Sequence, residues 1–162
     1  ARRGASGWSV EVKGKRAHSS GVFNERIGAG AIFEMSRILN AFYEQVRGEE
    51  YLTFNPGTLL GGTFVDYGKQ TSSGEVFGKT NVVAQTALAN GGLRFISEEQ
   101  KESARSKMRD IVNQNLPQTS AIITFQDSYP AMGPSEGNTA VLKILSEVMR
   151  CFACFSMFNR RR

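Results

Sequence analysis

Residues 8–20, WSVEVKGKRAHSS, form the stretch that decides the fold. From Trp8 to Lys13 apolar and polar residues alternate, and this period of two predicts a strand with one buried face. The strand ends at Gly14, and we expect a loop to follow it. That loop carries His18, the only histidine among the 162 residues. A metal site built from several histidines is therefore excluded for this chain.

A long helix is predicted from Asn24 to Arg47, because apolar residues recur there every three or four positions. Asn24 is a candidate N-cap, Glu25 suits the positive end of the helix dipole, and Gly48 is a candidate C-terminal stop. The apolar stripe is wide enough to face a core.

Two further strands are predicted on either side of a long excursion. Residues 51–63 indicate a second strand that ends in Gly61-Gly62. Residues 64–79 are rich in Gly, Ser and Thr and indicate a hairpin. Residues 81–96 indicate a third strand, and we expect a bulge in it at Gly91-Gly92.

The second half of the chain opens with a capping box at residues 97–100, Ser-Glu-Glu-Gln. A second helix follows from this box and is predicted to end near Leu116. Residues 121–125 indicate a fourth strand. The order β-α-β-β-α-β predicts an α+β, ferredoxin-like fold: a two-layer sandwich of a four-stranded antiparallel sheet and two helices.

A third helix is predicted at residues 139–158, after a loop at 131–138. It has no place in a two-helix sandwich, so we expect its apolar face to need a partner that this chain does not supply. Within it, Cys151 and Cys154 form a CxxC pair. Such a pair serves redox chemistry, half of a zinc site or a plain apolar helix face. We favour the last, since no second CxxC and no nearby histidine completes a metal set.

The formal net charge of +5 is modest, and part of it comes from the terminal residues 160–162, Arg-Arg-Arg. A basic balance is compatible with a nucleic-acid partner or with an ordinary solvated surface. RNA-recognition sheets carry several aromatic residues on one strand, whereas residues 82–88 contain none. We therefore expect no nucleic-acid partner. The sequence has no run of about 20 apolar residues, so we expect no membrane span.

Four sequence features, in this order, resemble the lid or dimerisation domain of the di-zinc exopeptidases. That family includes glutamate carboxypeptidase, succinyl-diaminopimelate desuccinylase, aminoacylase and peptidase T. The features are GKxAH at 14–18, Gly28 with Ala31-Ile32, Gly61-Gly62 followed by Asn81-Val82-Val83, and Leu93-Arg94-Phe95 followed by the capping box. The chain departs from the family pattern at Gly30, Ala84 and Gly92 and in the length of the excursion at 64–79.

The resemblance implies that the chain is a fragment of a zinc-dependent metallopeptidase or amidohydrolase. Residues 1–130 would be the lid and dimerisation domain, and residues 131–162 the start of the segment that returns to the catalytic domain. The alternative is a stand-alone ferredoxin-like binding or oligomerisation module without a catalytic role. The chain begins Ala-Arg-Arg-Gly without a methionine, so we expect a piece of a longer protein. The compartment stays open between cytoplasm and periplasm or secretion.

The resemblance also assigns roles to five residues. It implies that His18 donates to the oxyanion in the active site of the other subunit; the alternative is a loop histidine without a role. Asn81 would donate to a substrate carboxylate or oxyanion, unless it only caps or bonds within the strand. Arg94 would clamp a substrate carboxylate, or else pair with the glutamates of the second helix. Gly61 and Gly62 would let the substrate pass close to the strand. The alternatives are the close approach of another backbone segment and a bulge.

Cofactor and partners follow from the same resemblance. The parent enzyme would hold two zinc ions in its catalytic domain, with none bound by this chain, and the fragment alone would be inactive. The chain would form a homodimer through the lid domain. The substrate would be a peptide or an N-acyl amino acid.

Overall fold

The computed structural model describes residues 2–159 of the chain, with side chains described for residues 2–150. The CxxC pair of Cys151 and Cys154 lies outside the described side chains. The strands are β1 (Gly4–Gly14), β2 (Thr53–Gly62), β3 (Phe64–Gly68), β4 (Ser73–Phe77), β5 (Thr86–Phe95) and β6 (Thr119–Tyr129). The helices are α1 (Ala31–Gln45), α2 (Glu98–Val112) and α3 (Glu136–Asn159).

Four strands form one antiparallel sheet in the order β2-β5-β1-β6, and β3 and β4 form a separate two-stranded hairpin. The first and third strands of the β-α-β-β-α-β repeat thus lie side by side in the centre, as in a ferredoxin-like fold. Helices α1 and α2 pack against the sheet. The predicted two-layer sandwich is confirmed.

The core lies between one face of the sheet and the two helices. Val10 of β1 stands opposite Ala89 of β5 and Ile123 of β6, and the alternation predicted from Trp8 to Lys13 puts its apolar residues in this layer. Trp8 and Phe42 of α1 meet edge to face, with ring centroids 5.7 Å apart. Further buried members are Val12, Met35, Ile38, Leu93, Phe95, Ala104, Met108 and Ile111.

Helix α1 begins at Ala31, seven positions after the predicted start at Asn24. Glycines at 28 and 30 have φ of +70° and +81°, a left-handed backbone that interrupts a right-handed helix. Asn24 does act as a cap, but of a local turn, because its Oδ1 accepts from the backbone N–H groups of Arg26 and Ile27 at 3.0 and 2.9 Å. The apolar periodicity did not reveal this interruption.

The capping box at the start of α2 is confirmed. Ser97 Oγ accepts from the backbone N–H of Gln100 at 3.2 Å, and Gln100 Oε1 accepts from the N–H of Ile96 at 3.0 Å. Helix α2 ends at Val112, before the predicted Leu116.

The bulge predicted at Gly91-Gly92 is wrong, since β1 and β5 pair through those residues without a shift. The shift lies opposite them in the edge strand β2, between Pro56 and Thr58. Proline has no backbone N–H to give to a ladder, so a bulge in an edge strand is where a sheet accommodates it.

The excursion at 64–79 is a hairpin, as predicted. It folds back over the open face of the sheet, where Tyr67 and Lys69 form one side of a cleft of about 730 Å³ and Ser9 and Asn90 form part of the other. Because Gly74 has no side chain, the hairpin packs closely against Leu60 of β2.

Helix α3 carries exposed apolar side chains over its described length, among them Val141, Leu142, Leu145 and Met149. Among the described residues, it does not pack against the sheet or the other helices. Nowhere in the part of the chain that the structure describes is a helix both long and apolar enough to cross a membrane.

Candidate functional site

The loop after β1 is held against the segment that leads into β5. The N–H of Ser19 donates to the carbonyl of Asn81 at 2.9 Å, and the N–H of Val83 donates to the carbonyl of Ala17 at 2.9 Å. His18 and Val82 thereby form an isolated antiparallel bridge. Two of the predicted site residues, His18 and Asn81, are adjacent for this reason, and both are exposed.

Contacts within the loop indicate which ring nitrogen of His18 carries the proton. Nδ1 of His18 accepts from the backbone N–H of Ser20 at 3.2 Å and lies 2.9 Å from Ser20 Oγ. An Nδ1 that accepts a hydrogen bond carries no proton in the neutral ring, so the proton is assigned to Nε2. In this tautomer Nε2–H is the donor of the ring, and the side chain as a whole is exposed.

Gly61 and Gly62 lie between α1 and the hairpin. A side chain at 61 would come within 2.9 Å of Ile32 Cγ1, and one at 62 would come within 2.7 Å of Val76 Cγ1 and of the carbonyl oxygen of Phe77. Both glycines thus permit close approach of neighbouring elements. The strand shows no register shift at either position.

Backbone hydrogen bonds fasten these segments to one end of the sheet. Gln85 donates its N–H to the carbonyl of Gly62 at 2.9 Å, and its own carbonyl accepts from Gly14 at 2.8 Å. The N–H of Ala31, at the start of α1, donates to the carbonyl of Ala84 at 2.9 Å. Gly30 is one of the positions at which the chain departs from the family pattern. A side chain there would lie 2.5 Å from Val83 Cγ1, so the glycine permits tight local packing. His18, Asn81 and the two glycines of β2 thus share one end of the sheet.

Arg94 lies at the other end. It stands opposite Ala5 and Thr53, whereas the His18 loop follows the opposite end of β1. From Thr86 to Arg94 the strand β5 spans roughly 27 Å at about 3.4 Å per residue. The structure therefore does not bring Arg94 together with His18 in one copy of the chain.

A basic cluster surrounds Arg94. Its guanidinium donates to the hydroxyl of Tyr129 and lies over that ring, and the guanidinium of Arg2 lies 4.5 Å from the same ring centroid. Arg3 donates to Thr53 Oγ1 at 3.1 Å. The predicted alternative, a pairing of Arg94 with the glutamates of α2, is not among the ion pairs of the described residues. Exposed guanidinium groups in this arrangement favour a carboxylate.

Sequence reasoning missed Ser20 and Tyr129. The spacing of two residues between His18 and Ser20 is a local signal that could have revealed the first. Tyr129 meets Arg94 only through the pairing of distant strands, and the sequence carries no signal for that contact.

The fit of this chain to a metal ion can be tested from its donor groups. Among the residues that the structure describes, no three His, Cys, Asp or Glu side chains stand close enough to share an ion. The described residues thus offer no ligand set for the two zinc ions, which the family resemblance assigns to a separate catalytic domain and not to this chain.

Comparison with known proteins gives a family match over most of the chain. Residues 1–120 match the family model described as peptidase dimerisation domain. No match is found among curated proteins.

Solved structures share the fold. A tripeptidase from Staphylococcus aureus Mu50 is 22% identical, with a TM-score of 0.69 over 93% of this chain and 36% of its own. An aminopeptidase PepT from Bacillus cereus is 19% identical, with a TM-score of 0.62 over 91% of this chain and 36% of its own. An aminobenzoyl-glutamate utilization protein from Klebsiella pneumoniae is 16% identical, with a TM-score of 0.62 over 84% of this chain and 31% of its own. The chain spans about a third of each of these proteins.

Proposed function

The chain belongs to the peptidase dimerisation domain family, and from this premise we propose that it is the lid domain of a peptidase or amidohydrolase. In this proposal the domain joins two copies of the enzyme and lends side chains to the active sites. The observation that supports it most is the exposed His18 side chain, whose Nδ1 accepts from Ser20 and which lies beside Asn81 at one end of the sheet.

The proposed chemistry is stabilisation of an oxyanion. When water attacks an amide carbonyl, negative charge develops on the carbonyl oxygen, and a donor already in place stabilises it without reorganisation. The Nε2–H of His18 is such a donor, because the Ser20 contacts hold the ring from its Nδ1 side. Asn81 would add its side-chain amide as a second donor. Two zinc ions, held by residues outside this chain, would supply the activation of the water in this proposal.

Arg94 is proposed to bind the substrate carboxylate. Its planar guanidinium suits a carboxylate, and Arg2 adds positive charge beside it. Since Arg94 and His18 lie at opposite ends of one sheet, a single copy cannot place both on one small substrate. We propose that one active site takes Arg94 from one copy and His18 with Asn81 from its partner.

The proposed contact between copies is the surface formed by the outer side of α1 and the edge strand β2. Three exposed apolar side chains lie there, Ile32, Phe33 and Leu59, and the exposed Phe23 of the loop before α1 adds its ring 5.6 Å from that of Phe33. The exposed side of α2, in contrast, carries ion pairs such as Lys107 with Glu49. Burial of the apolar surface stabilises an association, whereas the charged one gains little.

Self-association can be measured on the chain itself. Phe33→Glu places a charge in the proposed contact, and we expect sedimentation velocity to show a shift from dimer to monomer. Ile122→Glu is the matched control, because Ile122 is equally apolar and exposed but lies on the opposite edge strand β6. An unchanged dimer in the Phe33 variant would refute this surface.

Beyond residue 130 we propose that the chain returns to the catalytic domain. Helix α3 exposes Val141, Leu142 and Leu145 over its described length, and a catalytic domain would cover them. Residues 1–130 are then the lid and dimerisation domain, and residues 131–162 belong to the segment that returns to the catalytic domain.

The catalytic role is tested with the full-length protein. We expect His18→Ala to lower kcat by about 10²–10³, the cost of one lost oxyanion donor, with little change in KM. Lys15→Ala, in the same exposed loop, is the control and is expected to keep normal turnover. Mixing the His18 variant with a subunit inactivated at its metal site is expected to restore part of the activity. Normal turnover of His18→Ala, or no rescue in the mixture, would overturn the proposed role.

A further inference from the structure

The base of the β3–β4 hairpin carries an exposed aromatic pair. Phe64 and Phe77 stand directly opposite each other across the two strands, and they are 60% and 54% exposed. Directly opposed side chains of an antiparallel pair share one face. The two rings therefore present a continuous apolar surface that the rest of the described chain does not cover.

The opposite face of the hairpin is the one that rests on the sheet. Val76 lies over Gly62, Gly74 lies over Leu60, and Tyr67 lines the cleft above the sheet. Since side chains alternate along a strand, Phe64 and Phe77 point away from this contact. Their exposure is thus a consequence of how the hairpin is seated.

The hairpin base is tied to the same end of the sheet as the candidate site. Thr63 donates its N–H to the carbonyl of Phe77 at 2.9 Å, and Val82, which bridges to His18, donates to the carbonyl of Lys79 at 3.0 Å. Only the short segment 78–80 separates the aromatic pair from Asn81. The aromatic pair and the candidate site are therefore fastened to the same end of the sheet.

Two carboxylates lie further along the hairpin. Asp66 and Glu75 stand opposite each other, two positions from the aromatic pair and on the same face. Like charges in this arrangement repel each other and any approaching anion. Lys79, which is exposed and follows Phe77 by two positions, carries the opposite charge, so it is the two rings that define the preference of this surface, a neutral apolar group.

We propose that Phe64 and Phe77 form the specificity wall of the active site and select substrates with a large, neutral, apolar side chain next to the scissile amide. The proposal rests on the proposed function, because it takes His18 and Asn81 to face the reacting carbonyl. It assigns to the hairpin the choice of substrate, while His18 and Asn81 serve the reaction.

The experiment compares three substrates with the full-length protein: N-acetyl-L-phenylalanine, N-acetyl-L-alanine and N-acetyl-L-glutamate, each also as the glycyl dipeptide. For the wild-type protein we expect kcat/KM to be highest for the phenylalanine substrate. The double variant Phe64→Ser/Phe77→Ser is expected to lose about tenfold or more on phenylalanine and less than about threefold on alanine. Asp66→Asn/Glu75→Gln is expected to raise kcat/KM for the glutamate substrate. Gln70→Ala, at the exposed hairpin tip, is the control and should leave all ratios unchanged.

The two proposals fail in different ways. If His18→Ala lowers turnover on every substrate but the double variant keeps the wild-type ratio of phenylalanine to alanine, the specificity wall alone is overturned. The same holds if the double variant converts the dimer to monomers, since the aromatic pair is then an interface between copies. If the wild-type protein hydrolyses none of the substrates, or His18→Ala has no effect, the proposed function falls and the wall falls with it.

Discussion

Glu34 holds helix α1 against the far end of α2, and its removal tests how the domain is stabilised. Its carboxylate is 0% exposed and accepts from Arg37 at 3.0 Å (Nε) and 2.7 Å (Nη2). It also accepts from the backbone N–H of Leu116 at 3.1 Å, and Arg37 in turn donates to the carbonyl of Ile111 at 3.0 Å. One carboxylate thus connects the first turn of α1 with the loop that follows α2.

The cost of Glu34→Ala follows from these contacts. Breaking a fully buried ion pair costs about 3–5 kcal/mol, because the remaining charge is left without its partner. Arg37 is 25% exposed and can regain some hydration, so we expect a loss of about 2–4 kcal/mol in the free energy of unfolding. For a chain of this length that corresponds to a fall in Tm of roughly 5–15 °C.

The assay is urea unfolding followed by circular dichroism, with hydrogen exchange at the Leu116 amide as a local measure. Glu44→Ala is the matched control on the same helix, since Glu44 is 55% exposed and lies 3.8 Å from Arg47. We expect that control to stay within about 0.5 kcal/mol of wild type. Equal midpoints for the two variants, or an unchanged exchange rate at Leu116, would refute the reasoning.

Two further predictions concern backbone and charge. A side chain at Gly28, where φ is +70°, would lie 2.0 Å from the carbonyl oxygen of Pro117, whereas at Gly48, where φ is +111°, nothing lies within 4 Å. Gly28→Ala should therefore lower the free energy of unfolding in urea by more than Gly48→Ala does. Equal losses in the two variants would contradict the steric argument. Burial alone would raise the pKa of Asp127, but the hydrogen bond and charge of Arg105, together with the charge of Lys101 and a hydrogen bond from Ser6, hold that pKa below its usual value. A lowered carboxyl pKa contributes stability above the unfolded pKa of about 4 and loses it as pH falls further. Because Asp127 is 57% exposed, wild type should lose at most about 1 kcal/mol more than Asp127→Asn between pH 7 and pH 3 in urea unfolding, and equal losses would contradict the assignment.

Local patterns were sufficient for most of the fold. The alternation in β1 and the Ser97 capping box act over a few residues, and the structure has both where the sequence indicates them. The start of α1 was predicted too early because the interruption depends on φ at Gly28 and Gly30, and their neighbours Pro117 and Val83 come from distant segments. The misplaced bulge has a similar cause, since the glycines of β5 drew the prediction while Pro56 of the partner strand determines the shift.

The same distinction between local sequence and tertiary structure applies to the candidate site. The sequence by itself determined the type of fold, because the hydrophobic period belongs to the chain alone, and its resemblance to a known family singled out His18, Asn81 and Arg94 as candidate donors to an anion. Only the tertiary structure decided that His18 and Asn81 meet while Arg94 lies a strand's length away. Strand order and register bring distant residues together, and they result from burial of the whole core, which no short stretch of sequence records.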